Sequence, residues 1–191
     1  MRNAYVFLAT GFEEMEALGT VDVLRRTGID VTTVSISDSR EVVGSHGVPV
    51  IADKLISEVV NNRVEWLILP GGMPGATNLH KCPELQSMLN IQAGCGGKIG
   101  AICASPGVVL GQLGLLNGKK ATCYPGFESL CKGAEMKDER CVVDGNIITA
   151  NGPSSVINFA FAIASDILGR EAAVKVMNDM LVYPKEQPYF F

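Results

Sequence analysis

The residues with chemistry to offer are six cysteines, two histidines and a cluster of three glutamates near the N-terminus of this 191-residue chain. One cysteine stands apart. In Lys98-Ile-Gly-Ala-Ile-Cys103-Ala-Ser-Pro-Gly107 an apolar run stops at Cys103. Ser105-Pro106 then reads as a helix N-cap followed by proline at the first helical position. Cys103 is thereby predicted in a tight turn between a buried strand and a helix. Its second neighbours, Ala101 and Ser105, are small and leave room for a sharp turn, the geometry in which α/β-hydrolases present a nucleophilic serine. A helix N-terminus favours thiolate over thiol, so the sequence predicts a lowered thiol pKa and a nucleophile. Nothing comparable surrounds Cys82, Cys95, Cys123, Cys131 or Cys141, which read as small hydrophobes.

The elements that must hold Cys103 follow from the periodicity. Apolar strands are predicted at 5–9, 29–35, 64–69, 98–102 and 120–123. Hairpins are predicted around Gly44–Gly47 and Asp144-Gly145. Helices are predicted over 13–27, 55–60, 83–93, 153–168 and 171–181, with a helical turn at 127–131. The 13–27 helix carries Met15, Leu18, Val21 and Leu24 near helical spacing and stops at Gly28. Tyr189-Phe190-Phe191 reads as an apolar tail with a packing partner. Strands apolar on both faces, alternating with helices, signal a mostly parallel sheet covered on both sides, an α/β fold in one domain over 1–191. Sites in such sheets form at the carboxyl ends of strands. Three strand ends therefore matter: Thr10–Glu16, Pro70-Gly71-Gly72, and Cys103.

Each strand end also has an ordinary explanation. Glu13, Glu14 and Glu16 at a helix start favour the macrodipole, which accounts for one or two of them and opposes a phosphate loop. Gly71-Gly72-Met73-Pro74-Gly75 is not a dinucleotide fingerprint. Its chemical use is a backbone N–H exposed beside Cys103, able to stabilise an oxyanion. Net charge is −4 without a basic stripe, which excludes nucleic acid as a partner. No apolar run reaches membrane-spanning length. Met1-Arg2-Asn3-Ala4 runs straight into a strand with no signal-like segment, so a cytoplasmic protein with reduced thiols is expected. No Cys-x-x-Cys pair is present, and His46 and His80 stand apart in sequence, so the spacings support no zinc site.

Four motifs resemble the DJ-1/ThiJ/PfpI family along essentially the whole chain. They are Gly11-Phe12-Glu13-Glu14-Met15-Glu16, Leu69-Pro70-Gly71-Gly72, Ala101-Ile102-Cys103-Ala104-Ser105-Pro106, and Asn151-Gly152-Pro153. The resemblance implies a flavodoxin-like sandwich, usually homodimeric. It implies Cys103 as nucleophile and Glu16 as the protonated acid that hydrogen-bonds the sulfur. Gly72 and Ala104 become oxyanion donors, and Arg26 a dimer-interface arginine near the site. His46 falls where some relatives have arginine and joins the substrate-binding candidates. Tyr124 stands where some members keep a histidine, and no histidine follows Cys103 directly. Proton transfer then falls to Glu16 rather than to a Cys–His dyad.

The expected activity is that of a cofactor-free glyoxalase acting on methylglyoxal or glyoxal, with deglycase activity on early glycation adducts. Its partners are small reactive carbonyls and a second copy of the chain, with no metal, glutathione, nucleic acid or membrane implied. The alternative is a redox-sensing or chaperone-like stress protein whose cysteine is oxidised to sulfinate without turnover.

Overall fold

A computed structural model describes residues 2–182; the tail at Tyr189–Phe191 lies outside them. In chain order the elements begin β1 (Asn3–Leu8), α1 (Glu14–Arg26), β2 (Asp30–Ser35), β3 (Glu41–Val43), β4 (Pro49–Ile51), β5 (Lys54–Leu55) and β6 (Trp66–Leu69). They continue α2 (Gly75–Lys81), α3 (Pro83–Gly94), β7 (Lys98–Ile102), β8 (Lys120–Ala121), β9 (Glu135–Met136), β10 (Cys141–Asp144), β11 (Ile147–Ala150), α4 (Val156–Leu168) and α5 (Arg170–Asp179).

Seven strands form the main sheet in the order β10-β11-β7-β6-β1-β2-β5. All pairings are parallel except the β10–β11 hairpin at one edge. The central run β2-β1-β6-β7-β11 has the flavodoxin-like order. Its strands β6 and β11 are buried at every position, because apolar side chains leave both faces. One face meets α1, α4 and α5 through Ala17, Val21, Leu24, Phe159, Ile163 and Ala173. The other meets α3 and the segment after Cys103 through Leu85, Met88, Leu89, Val109 and Leu110. This is the α/β sandwich that the alternation predicts.

The differences are local. Gly75–Lys81 is a helix where the sequence pattern marks no element beyond the Gly71–Gly75 turn. Lys54–Leu55 adds an edge strand to β2, and the helix expected at 55–60 shrinks to one 3-10 turn, Ile56–Glu58. The strand expected at 120–123 covers only Lys120–Ala121 and pairs with β9 in a separate small sheet. Pro106–Gly111 winds as a π-helical stretch.

Candidate active site

The strand order reverses direction around β1, with β2 on one side and β6 on the other, and ligands in open α/β sheets bind at such switch points. The three strand ends singled out by sequence meet here. β1 leads into Gly11–Glu16, β6 into Pro70-Gly71-Gly72, and β7 into Cys103.

Cys103 is 8% exposed and adopts φ of 64°. A non-glycine residue in this left-handed region costs roughly 1–2 kcal/mol. Its conformation is fixed from both sides. The Cys103 N–H donates to the Ala150 carbonyl at 2.9 Å, and the Tyr124 N–H donates to the Cys103 carbonyl at 2.8 Å. Ser105 stands at the N-cap position with Pro106 next, as the sequence predicts, but its side chain makes no capping hydrogen bond. It is already helical, with φ −64° and ψ −33°, and its hydroxyl donates to the Pro70 carbonyl at 2.5 Å. That bond ties the β6 end to the segment behind the nucleophile.

The three acids separate into three roles. Glu13 caps α1, its carboxylate accepting from the Glu16 N–H at 2.7 Å. Glu14 turns to the β3–β4 hairpin and accepts from the His46 N–H at 2.7 Å and the Ser45 hydroxyl at 3.1 Å. Glu16 lies one turn into the helix, fully buried, and its Oε2 accepts from the Gly71 N–H at 2.7 Å. Its Oε1 has no conventional hydrogen-bond partner. The carboxyl interacts with the Cys103 thiol.

Two glycines make this approach possible. A Cβ on Gly71 would lie 2.6 Å from the Cys103 Cβ and 2.8 Å from Glu16 Oε2. Gly72 has φ of +87°, and a Cβ there would meet the Glu13 nitrogen at 2.4 Å. The N–H groups of Gly72 and Ala104 favour the ionised form of the Cys103 sulfur.

Electrostatics departs from the expectation of a lowered thiol. Burial, then the Glu16 charge and its hydrogen bond, push the Cys103 thiol up to about 12, while the Gly72 and Ala104 N–H groups pull the other way. Burial lifts Glu16 to about 7, opposed by the Gly71 and Cys103 hydrogen bonds. Two acids in contact in a dry site resist a double negative charge. Part of what raises the thiol is the ionised form of Glu16, and it disappears when Glu16 holds the proton.

The remaining candidates lie elsewhere. Arg26 pairs with Asp22 at 2.8 Å, and both side chains are about half exposed. It is ten residues beyond Glu16, roughly 15 Å along the helix axis. Its expected role is at a dimer interface, and within its own chain its partner is Asp22. His46 is 72% exposed on the rim, its Nδ1 2.7 Å from Glu14 Oε2. That pairing raises the His46 pKa. Burial works to raise Glu14, but hydrogen bonds from the His46 ring and backbone outweigh it and bring Glu14 down to about 2. Tyr124 contributes its backbone to the Cys103 turn, while its half-exposed ring meets Phe127 edge-on at 6.3 Å. Among the described residues, one group with metal-ligand chemistry, Glu13, Glu14 and His46, brings its ligand atoms within 4.8 Å of one another. All three already hold the contacts given above. The Gly71 N–H, the direct partner of Glu16, was missed; its only sequence signal was the Gly71-Gly72 doublet.

The chain matches the DJ-1/PfpI family over residues 2–166. It is 39% identical over 184 residues to Protein DJ-1 homolog B of Arabidopsis thaliana, covering 96% of this chain but 42% of that protein. The chain thus spans less than half the length of that relative. It is 34% identical over 161 residues to the Caenorhabditis elegans protein named glutathione-independent glyoxalase DJR-1.2, covering 83% of this chain and 84% of that one. Among solved structures, Toxoplasma gondii DJ-1 in an oxidised form superposes with a TM-score of 0.92 at 40% identity, covering 95% of this chain and 98% of the other. No helix among the described residues is long and apolar enough to cross a membrane.

Proposed function

The chain belongs to the DJ-1/PfpI family, and from that premise we propose that it is a cofactor-independent glyoxalase acting on methylglyoxal and glyoxal in the cytoplasm. Deglycase activity on early glycation adducts belongs to the same reading. The observation that carries it is a buried carboxyl touching a buried thiol, with the carboxyl pKa lifted to about 7. A general acid–base group works best when its pKa lies near the operating pH. The relative named as a glutathione-independent glyoxalase supports the same chemistry.

In this reading Glu16 carries the proton and Cys103 the charge in the reactive form. The thiolate adds to the aldehyde carbon, and Glu16 protonates the new oxyanion to give a hemithioacetal. The Gly72 and Ala104 N–H groups stabilise the oxyanion on the way. Glu16, now a carboxylate, removes the hydrogen from that carbon and returns a proton to the adjacent one, while the hemithioacetal hydroxyl proton passes to the neighbouring carbonyl oxygen. This internal redox step gives a 2-hydroxyacyl thioester. Water cleaves the thioester, releasing the hydroxy acid and the thiol. The test is lactate formation from methylglyoxal by the purified protein without glutathione. Cys103→Ser and Cys103→Ala are expected to abolish it, with Cys82→Ser much closer to wild type. Retention of more than about a tenth of turnover by Cys103→Ala, a loss under ~1.4 kcal/mol, would rule out nucleophilic catalysis by this residue.

A second reading draws on the oxidised state of the Toxoplasma gondii relative. Here Cys103 is a peroxide target, and the protonated Glu16 donates to a sulfinate oxygen and halts oxidation at that stage. Peroxide-dependent gain of two oxygens on Cys103, without any lactate formation, would select it.

A further inference from the structure

Glu13, Glu14 and His46 meet where the β3–β4 hairpin lies against the start of α1, next to the Glu16–Cys103 pair but sharing no side chain with it. Backbone bonds hold the two parts together. The Gly11 N–H donates to the Val43 carbonyl and the Ser45 N–H to the Phe12 carbonyl, each at 2.8 Å. The Glu13 N–H donates to the Gly71 carbonyl at 3.0 Å. Gly44 completes the cradle, because a Cβ there would overlap the Glu14 carboxyl group. The hairpin is thus shaped around that carboxylate, and His46 follows two residues later.

Charge in this corner is unbalanced. Two carboxylates face one imidazole, and among the described residues no lysine or arginine pairs with either. Glu13 is 9% exposed. One of its oxygens accepts from the Glu16 N–H at 2.7 Å, and the other accepts no hydrogen bond among the described residues. A carboxylate so nearly buried carries a desolvation cost that one N–H does not offset, whereas a cation on the second oxygen does.

The spacing suits a single ion. His46 Nδ1 and Glu14 Oε2 lie 2.7 Å apart, and ligand atoms from all three residues lie within 4.8 Å of one another. Ligands about 2.1 Å from a tetrahedral zinc ion are separated by roughly 3.4 Å. The widest pair therefore closes by at most about 1.4 Å, which rotation of the exposed imidazole supplies. A nitrogen donor and only three protein ligands fit zinc rather than calcium or magnesium, which take oxygen-rich shells.

We infer that Glu13, Glu14 and His46 bind one zinc ion at the rim of the Cys103 pocket, each giving one ligand atom. The ring gives a nitrogen lone pair to the ion and releases any proton it holds there to solvent. The His46 N–H stays on Glu14 Oε1 and orients the carboxylate, which binds through Oε2. Water takes the fourth position.

The test reads metal binding alone and does not depend on lactate formation, so it stands apart from the glyoxalase reading. The full chain, its accessible thiols blocked with iodoacetamide under native conditions, is titrated with Zn²⁺ and followed by equilibrium dialysis. One ion per chain is expected. His46→Ala, which alters an exposed ring, and Glu14→Gln should each weaken binding by at least about tenfold. Co²⁺ in place of Zn²⁺ should give visible bands without the near-ultraviolet charge transfer of a thiolate ligand, and excess Mg²⁺ should not displace it. Unchanged binding in His46→Ala, a thiolate band, or no saturable binding up to about 1 mM Zn²⁺ would overturn the inference.

Discussion

Replacing Glu16 by glutamine separates the carboxyl's charge from its shape. Glutamine keeps an oxygen for the Gly71 N–H and fills the same volume, but it neither ionises nor moves a proton. The folded protein holds the Glu16 carboxyl at about 7 against an ordinary value of 4.5. Between those two pH values the unfolded chain has lost that proton while the folded chain keeps it. Stability from this group is therefore complete below pH 4.5 and is lost as pH rises through 7. The loss is 7 minus 4.5 units at 1.36 kcal/mol each, about 3 kcal/mol. Urea unfolding of wild type and Glu16→Gln at pH 4, 6 and 8 isolates this contribution, because titrating groups away from the Glu16–Cys103 pair cancel in the difference. The variant is expected to gain about 3 kcal/mol relative to wild type between pH 4 and pH 8. Turnover should fall by roughly 10²–10⁴, the range for general acid–base groups. The Cys103 thiol should ionise at lower pH in the variant, since the Glu16 charge is one of the factors raising it; the pH dependence of iodoacetamide alkylation reads this directly. A stability difference that stays flat from pH 4 to 8 would refute a buried, proton-holding Glu16. Near-normal turnover would reduce it to a helix-start carboxylate.

Three further outcomes follow from the geometry. Gly72→Ala must place a Cβ 2.4 Å from the Glu13 nitrogen at φ of +87°, so denaturant unfolding should show a loss of ~2 kcal/mol or more, and a loss below ~0.5 kcal/mol would mean that the turn relaxes freely. His46→Ala should leave kcat/KM for methylglyoxal within about threefold, under ~0.7 kcal/mol, because the ring is engaged with Glu14; a larger drop would restore His46 to substrate binding. Light scattering should give about twice the 20.3 kDa chain mass, since Met15 and Leu18 lie exposed one turn apart on α1; a monomer at micromolar concentration would remove both the dimer and the role of Arg26 at a partner's site.

The site was legible in sequence wherever local rules decide the outcome. An apolar strand broken by Cys-Ala-Ser-Pro specifies a strand–turn–helix whatever surrounds it, and the alternation of strands and helices specifies the parallel sheet. Local rules fail where a neighbour in space decides. Ser105 holds the cap position, but the Pro70 carbonyl takes its hydroxyl in place of a capping bond. Gly75–Lys81 begins with glycine and carries Thr77 and Asn78, so its propensity is poor; Ala76 and Leu79 hold it by burial. A helix-dipole argument favours a thiolate at Cys103, but it omits burial and the adjacent carboxyl, which act in the opposite direction. Which of Glu13, Glu14 and Glu16 faces inward depends on where α1 starts. Glu13 becomes the cap, and Glu16 falls on the buried side one turn later.

The strain at Cys103 and the two glycines at the end of β6 have a common origin. Bringing a carboxyl and a thiol into contact beneath a closed surface requires the β1, β6 and β7 ends to converge more closely than Cβ atoms permit. Gly71 and Gly72 relieve the crowding on the β6 side. On the β7 side the residue must keep a side chain, because the side chain is the nucleophile, so the left-handed turn remains strained by roughly 1–2 kcal/mol. Three hydrogen bonds hold it there: Cys103 to Ala150, Tyr124 to Cys103, and Ser105 to Pro70. At about 1 kcal/mol net for each, they match or exceed the strain. The thiol therefore has one position, fixed by backbone atoms of β11, of the segment after β8 and of the β6 end, with its ionisation left to Glu16. Removing any one of these bonds should move the sulfur before it unfolds the chain.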